Sequence, residues 1–115
     1  MNTISPVEAK KNMTERGFHF RKSVKIKTRT LDSLIEQYFG GKYPDFLSID
    51  AEGLDETIIS SLDESKELPK VICIETVGYT PDMSGAKNPA IFTTLKRKKY
   101  KVFADTYVNT IFVRE

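Results

Sequence analysis

The spacing of apolar residues changes period several times along this chain, and each change marks an expected element. Ser5-Pro6-Val7-Glu8 has the form of a capping box, with proline at the first helical position, so a helix starts there. Gly17 can end it in a left-handed conformation. From Phe18 the period becomes two. Val24, Ile26 and Thr28 share one face and Lys25, Lys27 and Arg29 the other, the pattern of a half-exposed edge strand guarded by lysines. Leu31, Leu34, Ile35, Tyr38 and Phe39 return to helical spacing, with Asp32 placed to cap the start and Gly40-Gly41 to stop it. Asp45-Phe46-Leu47-Ser48-Ile49-Asp50 reads as a short strand buried on both faces. Leu54, Ile58, Ile59 and Leu62 give another amphipathic helix, and residues 70–75 a second buried strand introduced by Pro69. Residues 76–88 are irregular, Asn88-Pro89 starts a helix that buries Ile91, Phe92 and Leu95, and two strands near residues 100–104 and 110–114 finish the order. Strands alternating with helices predict an α/β fold with a parallel sheet. The last two strands are too close together for a helical crossover, so the sheet ends in an antiparallel hairpin.

Composition adds little direction. The chain has 115 residues, enough for one domain or part of one, with 39% hydrophobic and 30% charged residues and a net charge of +2. That charge steers it toward neither nucleic acid nor an acidic membrane. No segment approaches membrane-spanning length and none resembles a secretory signal, so a cytoplasmic protein is expected. One His and one Cys leave the usual zinc sets unfilled, and no metal site is assigned. Cys73, inside an apolar run, reads as a buried free thiol, and His19 as a solvent-facing strand residue.

Asp50-Ala51-Glu52-Gly53 is the segment richest in chemistry. Two carboxylates stand where a buried strand gives way to a helix, and ligands of open α/β sheets bind beyond the carboxyl ends of strands. Gly53 permits a strained turn or a close approach of backbone to ligand. Glu75 ends the next strand in the same way and belongs at the same rim. Such acids serve as a general base, bind a hydroxyl or amine, or hold a divalent cation. Alternatively, Asp50 and Glu52 merely cap the following helix. Like charges at one rim raise each other's pKa unless something cationic offsets them.

Thr30-Leu31-Asp32, then Ile49-Asp50-Ala51-Glu52-Gly53, then Pro69 to Glu75 with an apolar run between, and finally Asn109-Thr110-Ile111-Phe112-Val113, together resemble the FkbM-type methyltransferase family. The resemblance spans nearly all of the chain. It implies a Rossmann-like class I methyltransferase sheet and methyl transfer from S-adenosylmethionine to oxygen on a sugar or secondary metabolite. It further implies that Asp50 and Glu52 belong to the cofactor-and-substrate rim. Taken with the strand ends and the long loop, the expected catalytic residues are Asp50, Glu52 and Glu75, the expected cofactor contacts Asp50 and Gly53, and the expected acceptor contacts Asp32, Tyr79, Asp82 and Asn109. One departure accompanies it. The six glycines include no Gly-x-Gly pair and no strand precedes the first helix, so residues 1–115 are expected to be the C-terminal half of the domain, without the Gly-rich cofactor cradle. Such a half should bind the cofactor weakly or not at all.

Two other functions fit the same residues. Asp50, Glu52 and Glu75 are suited to Mg²⁺ in phosphoryl transfer or hydrolysis, although no phosphate-gripping loop accompanies them. A non-catalytic remnant, pairing with a second copy through an exposed sheet edge, is the other. Weaker signals have plainer explanations: Lys96 to Lys99 as a solvated cluster matched to a helix dipole, and Phe18, Phe20, Phe92, Phe103 and Phe112 as core. Residues 76–88 are long enough for a substrate lid, with Tyr79 and Asp82 as its contacts. The partner expected is a small-molecule acceptor, with no nucleic acid and no membrane.

Overall fold

The computed structural model describes residues 6–15, 17–78 and 84–115. Among the described residues four helices and four strands follow in the order α1 (Pro6–Glu15), α2 (Leu31–Phe39), β1 (Phe46–Ile49), α3 (Asp55–Ser60), β2 (Val71–Glu75), α4 (Pro89–Arg97), β3 (Tyr100–Asp105) and β4 (Asn109–Arg114). Gly17 ends α1 as expected, with φ 67° and the Phe18 N–H donating to the Asn12 carbonyl at 3.1 Å. The expected cap, Ser5, lies outside the described residues. Asn88 caps α4 by accepting from Ala90 N–H at 3.0 Å, and Pro89 occupies the first turn.

The cap of α2 differs from expectation. Thr30, not Asp32, accepts from Ser33 N–H, at 3.2 Å. A threonine hydroxyl in extended backbone one residue before the helix reaches that donor, whereas Asp32 is already inside the first turn.

The sheet is mixed, in the order β1-β2-β4-β3. β1 and β2 run parallel with Ile49 opposite Ile74, as the intervening helix requires. β3 and β4 are antiparallel, as their short link predicts. The hairpin does not simply extend the sheet, however. β4 inserts beside β2, antiparallel to it, and β3 becomes the outer strand. Burial explains the choice: β4 carries Thr110 and Phe112, at 0% and 2% exposure, opposite Ile74 and Ile72, while Val102 and Phe103 of β3 stay 49% and 72% exposed.

One core holds the layers together. Ile49, Ile72, Ile74 and Phe112 of the sheet pack with Ile35 of α2, Ile59 of α3 and Ile91 and Leu95 of α4. Phe92 meets Phe112 edge to face at 5.4 Å between ring centres. Each fully buried aliphatic side chain contributes roughly 1.5–3 kcal/mol relative to exposure. The opposite face of the sheet is less covered. Val71, Cys73, Ile111 and Val113 are half-buried and Phe46 and Ser48 exposed. Cys73 is therefore not deeply buried, and β1 is a sheet edge rather than a strand buried on both faces.

Three further expectations fail for related reasons. Residues 17–30 form no strand; no strand among the described residues pairs with them, and Phe20, Val24 and Ile26 are 63–65% exposed. His19 is exposed but not on a strand. Of the aromatic residues expected inside, Phe18, Phe20 and Phe103 face solvent, and Tyr38 and Phe39 of α2 do too. Lys98 is not solvated: it is 4% exposed, and its Nζ donates to the Leu62 carbonyl at 3.0 Å and to Glu64 at 2.8 Å. No helix among the described residues is long and apolar enough to cross a membrane.

Candidate functional site

Parallel pairing sends β1 and β2 toward the same end of the sheet. Asp50 follows Ile49 directly, and Glu75 follows Ile74, the residue opposite Ile49. The antiparallel neighbour completes a row, because Asn109 at the start of β4 stands opposite Glu75. Asp50, Glu75 and Asn109, read from distant parts of the chain, thus share one rim. Asp50 and Glu52 are exposed there, and Glu75 and Asn109 half-buried.

The turn after β1 is held by a residue that the sequence reading passed over. Asp55, only 6% exposed, accepts from Ala51 N–H with one oxygen and from Gly53 N–H with the other, each at 3.1 Å. Those two bonds fix a backbone that is otherwise unfavourable, with φ 49° at Glu52 and 96° at Gly53. Left-handed geometry costs a non-glycine residue about 1–2 kcal/mol. Glycine has no such penalty, and a side chain at Gly53 would meet nothing within 4 Å, so the space above the turn is open. Asp50 and Glu52 do not cap α3, whose N-cap Leu54 makes no side-chain bond. The sequence signal for Asp55 is an aspartate opening a helix two residues after a glycine turn, beside the more conspicuous Asp50-Glu52 pair.

Electrostatics couple Glu75 to the acids around it. Burial raises the pKa of Glu75 above the ordinary glutamate value, and the charges of Asp50, Asp55 and Glu52 raise it further. No cation is among these influences. A lysine does lie at this end of the sheet, but it serves another purpose. Lys87 Nζ donates to Asp105 and to the Tyr107 carbonyl at 2.7 Å each, to Thr76 Oγ1 at 3.0 Å and to Thr110 Oγ1 at 3.1 Å. Thr76 and Thr110 hydroxyls also bond each other at 2.8 Å. Lys87 thereby holds Asp105 below the usual carboxylate range, mainly through its hydrogen bond. No sequence pattern marks it, because its partners are 11 to 23 residues away.

The same lysine anchors the loop that follows β2. Val77 pairs with Lys87, Gly78 N–H donates to Ala86 O at 3.3 Å, and Asn88 N–H to Thr76 O at 2.7 Å. A side chain at Gly85 would sit 1.9 Å from the Gly78 carbonyl, so glycine is required where the two arms cross. Residues 76–88 therefore have an ordered base. Tyr79 and Asp82, the expected lid contacts, lie outside the described residues.

Asp32 is not brought to the rim. It accepts from Tyr43 Oη at 2.7 Å, and the same oxygen accepts from Asp63 N–H at 3.1 Å. Tyr43 precedes β1, so this cluster lies at the strand's other end. Burial is the main reason its phenol is pushed up to about 12, aided by the bond to Asp32. A cavity of about 350 Å³, lined by Gly41, Tyr43, Asp45, Lys66 and Leu68 among others, is at that end too, away from the acids. Among the described residues, no group of three or more His, Cys, Asp or Glu side chains is arranged to hold a metal ion, and the magnesium reading gains no support from the rim.

No curated protein and no solved structure matches the chain. The model of one family, described as the methyltransferase FkbM domain, matches residues 2–102. The match includes the Asp50 turn, Asp55, Glu75 and Lys87, and ends inside β3. With most of its length covered, the chain belongs to the FkbM methyltransferase domain family.

Proposed function

We propose that this chain forms the acceptor-side rim of an S-adenosylmethionine-dependent O-methyltransferase of the class I, Rossmann-like kind, acting in the cytoplasm on a small hydroxylated molecule such as a sugar or secondary metabolite. One observation carries the reading: in a chain of a methyltransferase family, two parallel neighbours deliver Asp50 and Glu75 to one end of the sheet. Insertion of β4 between β2 and β3 adds Asn109 to that row and is compatible with the closing strands of such a sheet.

The described residues suit part of the cofactor. Carboxylates without a cationic partner fit amine and hydroxyl groups, and the open backbone at Gly53 allows close approach. They include no glycine-rich turn between a strand and a helix, so the remaining contacts must come from elsewhere, and residues 1–115 are read as the C-terminal half of the domain. When bound, the cofactor supplies an electrophilic methyl group on a cationic sulfur.

The chain's own side chains do the rest. Asp50 and Glu52 accept hydrogen bonds from the bound molecules, and Asn109 offers both a donor and an acceptor beside Glu75. Glu75, whose proton is held more tightly than an ordinary glutamate's, is the group suited to take the acceptor hydroxyl proton. Placement matters more than basicity here, because in-line transfer rewards a fixed approach. Asp55 contributes indirectly by holding the Glu52-Gly53 turn.

Calorimetric titration with S-adenosylmethionine tests the division of labour. Residues 1–115 alone are expected to bind weakly or not at all, and the same chain extended by a Gly-rich strand-turn-helix segment to bind well. Tight binding by residues 1–115 would overturn it. In the extended protein, Asp50→Asn and Glu75→Gln should each lower methyl transfer about 10²-fold. Unchanged turnover in both would remove these acids from the site.

A further inference from the structure

Three non-glycine residues among those described have left-handed backbone: Glu52, Lys99 and Tyr107, with φ of 49°, 64° and 76°. The first belongs to the turn after β1, and Lys99 follows the C-cap of α4, where a left-handed residue is an ordinary way to end a helix. Tyr107 is different. It is the middle residue of the link between β3 and β4, and a left-handed position in so short a hairpin link normally goes to glycine, which carries no steric cost there. A bulky aromatic residue is the costly choice.

The hairpin enforces that choice from both sides. One oxygen of Asp105 accepts from Tyr107 N–H at 2.8 Å, and Lys87 Nζ donates to the same oxygen and to the Tyr107 carbonyl, each at 2.7 Å. The link is fastened to the rim as well, because Thr76 N–H, directly after Glu75, donates to the Val108 carbonyl at 2.9 Å. The ring gains no packing in return. Tyr107 is 56% exposed, its phenol bonds to no described residue, and it takes no part in the core. Strain that the surroundings enforce gathers at functional positions. Location agrees with that reading. Asn109, two residues on, stands opposite Glu75. β3 and β4 form the side of the sheet away from β1, so residues that join the sheet at β1 meet it at the opposite edge from this hairpin.

We infer that Tyr107 is a specificity-determining residue for the acceptor. Its ring is the wall against which the flat, C–H-bearing face of a cyclic hydroxylated molecule lies, a pyranose ring above all, while hydroxyl groups at that molecule's edge meet Glu75 and Asn109. The inference rests on the rim reading proposed above and narrows its acceptor to ring-shaped ones. A saturated sugar ring has hydroxyls round its edge and aliphatic C–H groups on its faces, so it needs two kinds of surface at once. Carboxylate and amide groups satisfy the edge, and an aromatic plane covers the face. Tyrosine does so with few side-chain torsions to fix. Lys87 and Asp105 are then positioning residues, acting through the Tyr107 backbone.

Nuclear magnetic resonance of residues 1–115 titrated with methyl β-D-glucopyranoside, and separately with glycerol as an acyclic polyol, tests this. The glycoside should shift the Tyr107 ring signals together with those of Glu75 and Asn109, and glycerol should leave the ring signals in place. Tyr107→Phe should keep the affinity, and Tyr107→Ala should lower it about tenfold. Tyr107→Gly separates this role from a structural one. Freed of the left-handed penalty, it should melt no lower than the wild type, yet bind the glycoside as poorly as Tyr107→Ala. Glycoside shifts at Glu75 and Asn109 that survive Tyr107→Ala at unchanged affinity overturn the inference and leave the rim reading intact. An unmoved Tyr107 ring overturns it too, as does a Tyr107→Gly protein that melts below the wild type. Turnover of the Asp50→Asn and Glu75→Gln variants decides the rim reading separately.

Discussion

Asp55 shows how little of a site can be read from its most visible letters. Asp50 and Glu52 attract attention by their spacing, yet the turn they stand on is held by the buried carboxylate four residues after Ala51. Asp55→Ala removes both bonds and should cost about 1–2 kcal/mol of stability, measured by urea unfolding. Asp50→Asn, at an exposed position, should leave the same curve within about 0.5 kcal/mol. Glu75 has a different signature. Above the ordinary glutamate value of 4.5 the unfolded chain gives up this proton while the folded chain keeps it, so stability falls as pH rises, until the folded carboxyl ionises as well. Glu75→Gln abolishes that contribution. Its melting temperature should match the wild type below about pH 4 and exceed it at neutrality. Equal melting temperatures at both pH values would mean that burial and the neighbouring charges do not act on Glu75 as described. Asp50, Glu75 and Asn109 were legible because strand ends are legible. Lys87 was not, since its partners meet only after the sheet has formed.

Elements with their own caps and periods were the easiest to read. α4, with Asn88 and Pro89 at its start, lies where its letters put it, and β2 follows Pro69 as expected. Where a local pattern needs a distant partner, the reading fails. Residues 24–28 have the alternation of a strand, but alternation alone forms no hydrogen bonds. The basic run closing α4 illustrates the converse. Helix-dipole reasoning places Lys96 to Lys99 in water, whereas Lys98 folds back under the helix to satisfy the Leu62 carbonyl left by the end of α3. Its companion Glu64 is held below the ordinary glutamate range mainly by that ammonium's hydrogen bond. Lys98→Met keeps the stem's packing and orphans the carbonyl, so a loss of about 1–3 kcal/mol is expected in thermal or urea unfolding. Lys96→Met, on an exposed site, should be nearly neutral.

At the scale of the molecule, strand direction was legible and strand order was not. Parallel β1 and β2 follow from the helix between them, and antiparallel β3 and β4 from the short link. That β4 rather than β3 would lie against β2 depends on which face each strand can bury, and both sequences are apolar enough to compete. The half-exposed second face of the sheet, with Val71, Cys73, Ile111 and Val113, was likewise invisible, because period-two alternation identifies two faces without saying what covers either.

The inserted position of β4 also constrains the order of events during synthesis. β3 leaves the ribosome before β4, yet its only sheet neighbour among the described residues is β4. Until residues 109–114 emerge, Tyr100 to Asp105 can hold no native ladder, and the half of the β2 edge destined for β4 stands open. A strand that threads between two earlier ones makes folding wait for its arrival, and exposes the waiting edges to mispairing in the interval. The wedge that joins β2 to β3 is thus translated after both strands that it unites, and the sheet cannot close before it arrives.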